Sequence, residues 1–248
     1  MAVWFLDRMT WPDIAEQIKN GRDTVIVPFG STEQHGRHLP IETDSAIGDA
    51  LGRGLAEALG AFLSPTMRFG CSAHHLAFAG TISIAEDTFR KVVKDIVASL
   101  CRHGFRRIIL LPTHGGNFTP LKEALGQLGP VEGVRIIGFT DLEGLLTAAF
   151  RSSAKFGVDP AKSGAHSGEW ETSVMLHLKN EEVKMDQAAE GFLGSIAEIR
   201  GRIASGLENL DPNGVLGDPR MGTAAAGKVY VSDVVDFLHQ WVTDQEAI

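Results

Sequence analysis

Residues 24–29 read TVIVPF, and a polar stretch, GSTEQHGRHLPIETD over residues 30–44, follows directly. The first run is short, apolar and rich in β-branched residues, which predicts a buried β-strand. RIILLPT over residues 107–113 and VRIIGF over residues 134–139 have the same character. Strands that are apolar along their whole length indicate a parallel sheet that is covered on both faces.

Helical patterns lie between these strands. Apolar residues recur every four positions after Asp44, and a clearer amphipathic stripe runs from Asp87 to Leu100. Thr119-Pro120 has the character of an N-cap and first residue of a helix that ends near Leu128. Strands that alternate with helices predict an α/β fold with a mostly parallel sheet. Further helices are predicted over 169–178, over 188–207 and near the C-terminus. A long ordered loop is predicted over 208–226, and a weaker strand, which Pro65 interrupts, over 61–69.

The composition is that of a globular protein and limits the classes of partner. The chain has 248 residues, 44% of them apolar, and a formal net charge of −8. No linker or repeat divides it, so we expect one domain over residues 1–248. The negative charge disfavours nucleic acid and anionic membranes as partners, and no apolar run reaches the ~20 residues that span a bilayer. With two cysteines and no secretion signal, we expect a cytoplasmic protein.

The polar stretch after TVIVPF carries Glu33, His35 and Asp44. In open α/β sheets, ligands bind at the carboxyl ends of strands. If the backbone stays extended, Glu33 and His35 project to one side, and Asp44 lies just before a predicted helix. One imidazole and two carboxylates suit a divalent ion such as Zn, Mn or Fe. The alternatives are an N-cap for Asp44 and a solvated loop carboxylate for Glu33.

A second polar cluster, HGGN over residues 114–117, follows the RIILLPT strand. Its two glycines let the backbone approach a ligand closely or adopt a positive φ. Because strand ends of a parallel sheet lie on one rim, we expect His114 to meet the groups that follow TVIVPF. The alternative is a glycine-rich turn with an incidental histidine.

A third cluster reads HSGEWETS over residues 166–173. Glu169 and Glu171 have two interpretations. Both are carboxylates at the start of a helix, where the helix dipole favours negative charge, or one of them is a metal ligand. In the second case His166 is an acid–base group or a substrate contact.

The stretch GCSAHH over residues 70–75 is a candidate wall for a substrate pocket. Adjacent histidines point in opposite directions along an extended chain, so we expect at most one of them, His74 or His75, to face the site. The sequence has no Walker A loop, dinucleotide fingerprint, G-x-S-x-G elbow or C-x-x-C pair. Chemistry with a serine or cysteine nucleophile is therefore unsupported.

Together the segments VIVPFGSTEQHG, LLPTHGGN and HSGEWETS resemble the creatininase (creatinine amidohydrolase) family, and the resemblance covers most of the chain. It implies a three-layer α/β/α sandwich and metal-dependent hydrolysis of amide-type bonds. It also implies that Glu33, Asp44 and His114 hold one divalent ion, and that His35 and a bridging Asp44 hold a second. Two such ions (Zn, Mn or Fe), about 3.5–4 Å apart, activate a shared water.

The sequence departs from creatininase itself at two places. In creatininase the active-site histidine is followed by Tyr and Glu, and that Glu binds the second metal, whereas two glycines follow His114 here. We therefore expect another carboxylate to complete the second site, Glu171 in the first place and Glu169 in the second. Lys162 and Ser163 stand where creatininase has a Trp-Asp pair that contacts creatinine, so we do not expect creatinine as the substrate.

The predicted function is hydrolysis of a C–N bond, other than a peptide bond, in a small amide, cyclic amides included. His166 moves a proton or orients the substrate. The resemblance also implies a homo-oligomer, for which a hexamer is a plausible size. The predicted substrate contacts are Ser72, His74, Lys162, Trp170 and Glu169.

Four alternatives remain open at this stage. Three keep the same site: ring opening of a cyclic ketone, removal of a formyl group from a formamide, and peptidase maturation of a redox-cofactor peptide. The fourth is a non-catalytic ligand-binding protein that has lost its second metal.

Overall fold

The apolar runs of the sequence form neighbouring strands of one parallel sheet. In the computed structural model, which describes residues 3–246, the sheet has the spatial order β1-β3-β2-β4-β5 once its strands are numbered along the chain. The strands are β1 (Trp4–Phe5), β2 (Thr24–Phe29), β3 (Phe62–Leu63), β4 (Arg107–Pro112) and β5 (Arg135–Gly138). All neighbouring pairs are parallel, as predicted. The weak strand predicted over 61–69 contributes only the two residues of β3, since Pro65 ends the regular pairing.

The helices cover both faces of the sheet and produce the three-layer α/β/α arrangement. Within residues 3–246, no helix is both long and apolar enough to cross a bilayer. The helices are α1 (Trp11–Lys19), α2 (Thr43–Leu59), α3 (Glu86–Arg102), α4 (Phe118–Leu128), α5 (Leu142–Ala154), α6 (Pro160–Ser163), α7 (Glu169–Leu178), α8 (Ile196–Arg202) and α9 (Ala224–Glu246).

Alternate residues of the central strands bury themselves in two separate cores. Ile26 of β2 and Ile109 of β4 face a core that includes α2, α5, α7 and α9. Val25 of β2 and Ile108 of β4 face the opposite core, against α3 and α4. All four side chains are at most 1% exposed. Each contributes about 1.5–3 kcal/mol by leaving water, which explains why both strands are apolar on both faces after their first residues, Thr24 and Arg107.

The register of the two central strands places the polar stretches side by side. Thr24 pairs with Arg107 and Phe29 pairs with Pro112, so β2 and β4 end at the same edge of the sheet. Asn117 ties this edge together, because its amide nitrogen donates to the carbonyl oxygens of Phe29 and Gly30 at 3.2 and 3.0 Å. The HGGN motif therefore starts beside the polar stretch that follows β2.

The helix predicted over 188–207 is largely wrong. Only α8 is α-helical there, and it begins at a capping box in which Ser195 and Glu198 satisfy each other's backbone N–H groups. Upstream, the N–H of Phe192 donates to the carbonyl of Val215, and a side chain at Gly191 would overlap that same carbonyl. The segment before α8 is therefore extended along the loop after Leu207. The sequence analysis also did not predict α1 and α5.

Candidate metal centre and active site

Three side chains from separate parts of the chain meet at the carboxyl edge of the sheet. Glu33 follows β2, His114 follows β4, and Asp44 lies in the first turn of α2, where Glu42 occupies the N-cap position instead. His114 Nδ1 lies 3.2 Å from Glu33 Oε1 and 3.2 Å from Asp44 Oδ2. All three residues are buried. These are the groups expected to share one ion.

His35 lies on the other side of Asp44. Its Nε2 is 3.4 Å from Asp44 Oδ1 and 3.8 Å from Glu171 Oε2. The two oxygens of Asp44 thus face different imidazoles, one on His35 and one on His114. Such an arrangement suits a carboxylate that bridges two cations.

The cluster leaves buried polar atoms without hydrogen bonds. Among residues 3–246, Glu33 Oε1, His35 Nε2 and Asp44 Oδ2 are buried and make none of acceptable geometry. Burying an unpaired polar atom costs about 1–3 kcal/mol, so three such atoms facing one another need a common partner. A divalent cation satisfies a carboxylate oxygen and an imidazole lone pair together. The residues present therefore fit the divalent ions that the family resemblance implies.

Backbone carbonyls set which nitrogen of each imidazole is free. His114 Nε2 lies 3.2 Å from the carbonyl oxygen of Cys71, and His35 Nδ1 lies 3.1 Å from that of Glu33. A carbonyl oxygen only accepts, so each of these nitrogens carries the proton. His114 Nδ1 and His35 Nε2 are then the lone-pair nitrogens, and both point at carboxylates of the cluster. Metal-binding histidines are usually held in this way.

In the metal-free protein, the charges of the cluster shift its pKa values. Burial acts to lower the pKa of His35, but Asp44 and, more weakly, Glu171 raise it to about 10. Burial also acts to lower the pKa of His114, but the carboxylates of Glu33 and Asp44 together raise it well above its ordinary value. Burial raises the pKa of Glu171 to about 7. Without a cation, protons on the imidazoles are thus the charges that balance the carboxylates.

His166 is held beside the cluster by the long loop predicted over 208–226, which in the structure ends earlier because α9 begins at Ala224. Leu216 of that loop donates its N–H to the carbonyl of His166 at 2.8 Å. His166 Nε2 lies 2.9 Å from the carbonyl oxygen of Gln34, so Nε2 carries the proton and Nδ1 faces Glu33 Oε1 at 3.8 Å. Burial and the neighbouring His35 lower the pKa of His166 well below its ordinary value. A neutral imidazole with a free Nδ1 can accept a proton.

The glycines after His114 explain why the second carboxylate comes from elsewhere. A side chain at Gly116 would overlap the carbonyl of Cys71 and the ring of His114. No carboxylate fits at that position in this chain. Glu171 lies 3.8 Å from His35 instead, and His35, His166 and Glu171 form one of the groups whose ligand atoms converge within 4.8 Å.

Glu169 points away from the cluster. Its Oε1 accepts hydrogen bonds from Ser173 Oγ at 2.6 Å and Tyr230 Oη at 3.0 Å, and its Oε2 accepts one from Ser153 Oγ at 3.1 Å. Burial raises its pKa. Glu169 therefore joins α7 to α5 and α9, and we retain it neither as a ligand nor as a substrate contact.

A turn of unusual conformation places Glu171 on the cluster side. Ser167 has φ +55°, the left-handed region, and is the one non-glycine residue within 3–246 with positive φ. Its backbone N–H donates to Glu171 Oε2. Left-handed backbone costs a residue with a side chain roughly 1–2 kcal/mol, and such strain is concentrated at functional sites.

His75 and Gln34 belong to the site, although the sequence analysis did not select them. The expectation that only one of His74 and His75 faces the site is wrong, because they lie in a 3₁₀ turn rather than an extended strand. His75 Nε2 is 3.2 Å from Glu33 Oε1. Gln34 Nε2 lies 3.0 Å from His75 Nδ1 and 3.0 Å from His166 Nε2. The His74-His75 pair could not be placed correctly from sequence, because the two letters alone do not reveal the 3₁₀ turn that directs both rings to the site.

A cavity of about 440 Å³ opens from the cluster. His74 and Trp170, both predicted substrate contacts, line it. His74 stacks on His114, with ring centroids 5.9 Å apart and planes at 11°. Within the described residues, Trp170 Nε1 is buried without a hydrogen-bond partner.

Two other predicted substrate contacts do not line the cavity. Ser72 lies behind His114, with its Oγ 2.5 Å from Ser31 Oγ and 3.4 Å from His114 Nε2, so it supports the imidazole. Lys162, at the end of α6, lies where its charge acts on Asp218 instead. We retain neither as a substrate contact.

Comparison with known proteins places the chain in a family. The family model described as "Creatininase: Creatinine amidohydrolase" matches residues 7–242. The mycofactocin precursor peptide peptidase of Mycobacterium ulcerans (strain Agy99) is 32% identical over 232 residues, which cover 90% of this chain and 85% of that protein. Creatinine amidohydrolase of Pseudomonas putida is 27% identical over 203 residues, 75% of this chain and 76% of that protein.

A solved structure described as "Creatininase Mn" has the same fold. It matches with a TM-score of 0.82 over 98% of this chain and 99% of its own, at 21% identity. The family resemblance and the three-layer fold predicted from sequence are thereby confirmed. The chain belongs to the creatininase family and is a metal-dependent hydrolase of amide C–N bonds.

Proposed function

We propose that the protein hydrolyses the C–N bond of a small amide, cyclic amides included, with water activated at a pair of divalent ions. The observation that carries this proposal is Asp44, whose two oxygens face His114 and His35 separately. Unpartnered buried atoms on Glu33, His35 and Asp44 support it, since they converge without hydrogen bonds among the described residues.

Two overlapping groups of residues would hold the ions. Glu33, Asp44 and His114 would hold the first, and His35, Asp44 and Glu171 the second. When bound, such ions lower the pKa of a coordinated water and polarise the scissile carbonyl. Zn, Mn and Fe all suit this mixture of imidazole and carboxylate ligands.

Neighbouring residues would prepare the site for proton transfer. His166 would accept a proton at Nδ1 and return it to the leaving nitrogen, since its Nε2 is committed to the Gln34 carbonyl. The side-chain Nε2 of Gln34 would hold His75 by donating to its Nδ1, and the backbone carbonyl of Gln34 would hold His166. Trp170 and His74 would contact the substrate from the cavity wall.

The proposal is tested by removing and restoring metal. A chelator-treated preparation is assayed on lactams, formamides, ureides, short peptides and a cyclic ketone, and product masses are recorded. We expect activity on an amide to vanish without metal and to return with Mn or Zn. Full activity after verified metal removal would contradict the proposal, and a ring-opened ketone without released amine would change the bond that is cleaved.

A variant separates proton transfer from metal binding. His166→Gln should lower kcat by about 10²–10⁴-fold while the metal content stays unchanged. His177→Gln, at an exposed position on α7, is the control and should leave both unchanged. Loss of metal in the His166 variant would assign that residue to the ligands instead.

Three expectations from the sequence remain proposals. A homo-oligomer, such as a hexamer, is supported by exposed apolar side chains, among them Trp11 and Leu76, which are 80% and 59% exposed. Light scattering tests it. A cytoplasmic location is supported by two free cysteines, Cys71 and Cys101, and cell fractionation tests it. A single domain over residues 1–248 predicts that limited proteolysis yields no stable half.

A further inference from the structure

The cavity has a polar floor and apolar walls. Its floor is the metal centre, with Glu33, Asp44 and His114 among the groups exposed to it. Its walls come chiefly from α5 and α8 and the turn after α8. The wall residues that matter for the following argument are Leu142, Leu145, Leu146, Ile196, Ile199 and Ile203.

Several wall side chains are only half-buried, although they lie in a cavity. Leu145, Leu146, Ile196 and Ile203 all keep part of their surface uncovered. Three of them also pack against apolar clusters of the protein: Leu145 against the core beneath it, and Ile196 and Ile203 around Leu207. Leu146 differs, because it belongs to none of the apolar clusters of the described chain. A ligand group that covers this surface is stabilised by about 25 cal/mol per Å² of apolar area.

Among residues 3–246, no free charge lies on the wall side to hold a charged ligand group. Arg200 is the cation among the described wall residues, and its Nη1 lies 2.6 Å from Glu143 Oε1. Both side chains are at least half exposed, so the pair lies towards solvent. A charged or strongly polar ligand group against the leucines would lose water without gaining a partner.

Resting on the function proposed above, we infer that the substrate carries an uncharged apolar group, aliphatic or aromatic, which fills the α5–α8 wall while its amide lies on the metal centre. A cavity of about 440 Å³ is within the range that binds drug-sized molecules, and a small polar ring would leave most of the wall bare. Leu146 is the residue that we assign to recognition of this group.

Two homologous series test the inference with metal-loaded protein. N-alkylformamides extend the amine side from methyl to hexyl, and primary amides extend the acyl side from acetamide to octanamide. We expect kcat/KM in one series to rise about fourfold for each added methylene until the cavity is filled. A terminal ammonium group, as in 6-aminohexanamide, should abolish the gain.

Variants at the wall provide the matched comparison. Leu146→Asn should reduce the gain per methylene, and Leu146→Trp should end it at a shorter chain. Leu193→Asn, at a leucine that is 40% exposed and outside the cavity, should leave the series unchanged. If kcat/KM is the same for every member of both series, and the Leu146 substitutions do not change it, the inference is overturned while the proposed function still stands.

A binding measurement separates the two ideas when turnover is absent. The midpoint of thermal unfolding of the metal-loaded protein is recorded with acetamide, hexanamide and N-hexylformamide. Chain-length-dependent stabilisation that Leu146→Asn removes, without hydrolysis of any amide, would support the apolar wall and contradict the proposed function. If no member of the series is hydrolysed and none raises the unfolding midpoint, both the proposed function and the apolar wall are contradicted.

Discussion

Asp44 is the side chain on which the two halves of the candidate metal centre depend. Its Oδ1 is 3.4 Å from His35 Nε2, and its Oδ2 is 3.2 Å from His114 Nδ1. The positive charges of these imidazoles lower the pKa of Asp44 in the metal-free protein against the effect of burial, so the carboxylate is already ionised. As a bridging ligand, Asp44 would make the two proposed ions interdependent.

Substitution at Asp44 should therefore have a larger effect than substitution at Glu171. We expect Asp44→Asn to lose both ions and Glu171→Gln to lose one, as counted by plasma mass spectrometry after dialysis. Asp49→Asn lies on the same helix, pairs with Arg68 at the surface, and should keep both ions. Retention of full metal content by Asp44→Asn would contradict the bridging role.

Metal loading should release protons. In the metal-free protein the pKa of His35 is about 10, so its imidazole is protonated at pH 8, and an ion can bind only when that proton leaves. We expect metal binding to release at least one proton per chain. For each proton released, the metal affinity should rise about tenfold per pH unit between pH 7 and 9. Calorimetry in two buffers of different protonation enthalpy measures the release. A pH-independent affinity would show that His35 is not a ligand.

Most of these side chains could be selected from sequence because they follow apolar strands, whose ends meet at one edge. The choice between Glu169 and Glu171 could not be made in that way. Residues two apart on a helix point about 200° from each other, so one faces the site and the other the core. Which of them faces the site depends on the rotation of α7, and Tyr230, 61 positions away in the chain, helps to fix it.

The start of α7 is the segment on which the second half of the site depends. Ser167 holds a left-handed conformation, and its N–H contacts the carboxylate of Glu171. The Glu169 hydrogen bonds anchor the first turn of the same helix to α5 and α9. Backbone strain and buried hydrogen bonds thus act together to orient one carboxylate.

Two substitutions at Ser167 should differ in their effect on the free energy of unfolding. Ser167→Gly relieves the strain and should leave the free energy of unfolding unchanged or raise it by up to about 1 kcal/mol. Ser167→Val should lower it by about 1–3 kcal/mol and reduce occupancy of the second metal, because a β-branched residue disfavours positive φ. Urea unfolding and metal analysis measure the two effects. A valine variant as stable as the wild type would contradict this account.

The prediction of elements succeeded where the apolar pattern was strong and failed where glycines and tertiary contacts decided. β2 and β4 bury both faces, and their sequences show it. The 188–195 segment has apolar residues suited to a helix, but its backbone hydrogen bonds go to residues 215–217 instead. The helix near 119 starts earlier than Thr119-Pro120 indicates, because Asn117 takes the N-cap position and directs its side chain to the end of β2.

For the molecule as a whole, the candidate metal centre is where the layers of the fold meet. Its residues come from the ends of β2 and β4 in the sheet, and from α2 and α7, which pack on one face. Ions bound there would connect segments that are far apart in the chain. Their binding energy would therefore contribute to the stability of the entire fold.

Chelation should accordingly destabilise the whole protein. An ion at a concentration 100 times its Kd adds about 2.7 kcal/mol, which corresponds to a rise of about 5–10 °C in Tm for a chain of this size. Calorimetry with and without Mn measures the shift, and Asp44→Asn should abolish it. A wild-type Tm that is equal with metal and with chelator would contradict a metal centre that spans these elements.

The most direct test of the paired metal centre is a crystal structure of the Mn- or Zn-loaded protein with anomalous diffraction recorded at the metal absorption edge. We predict two peaks, one among Glu33, Asp44 and His114 and one among His35, Asp44 and Glu171, with Asp44 in contact with both. A single peak, or an ion held by Glu33, His75 and His166 with the Asp44 oxygens unligated, would contradict it.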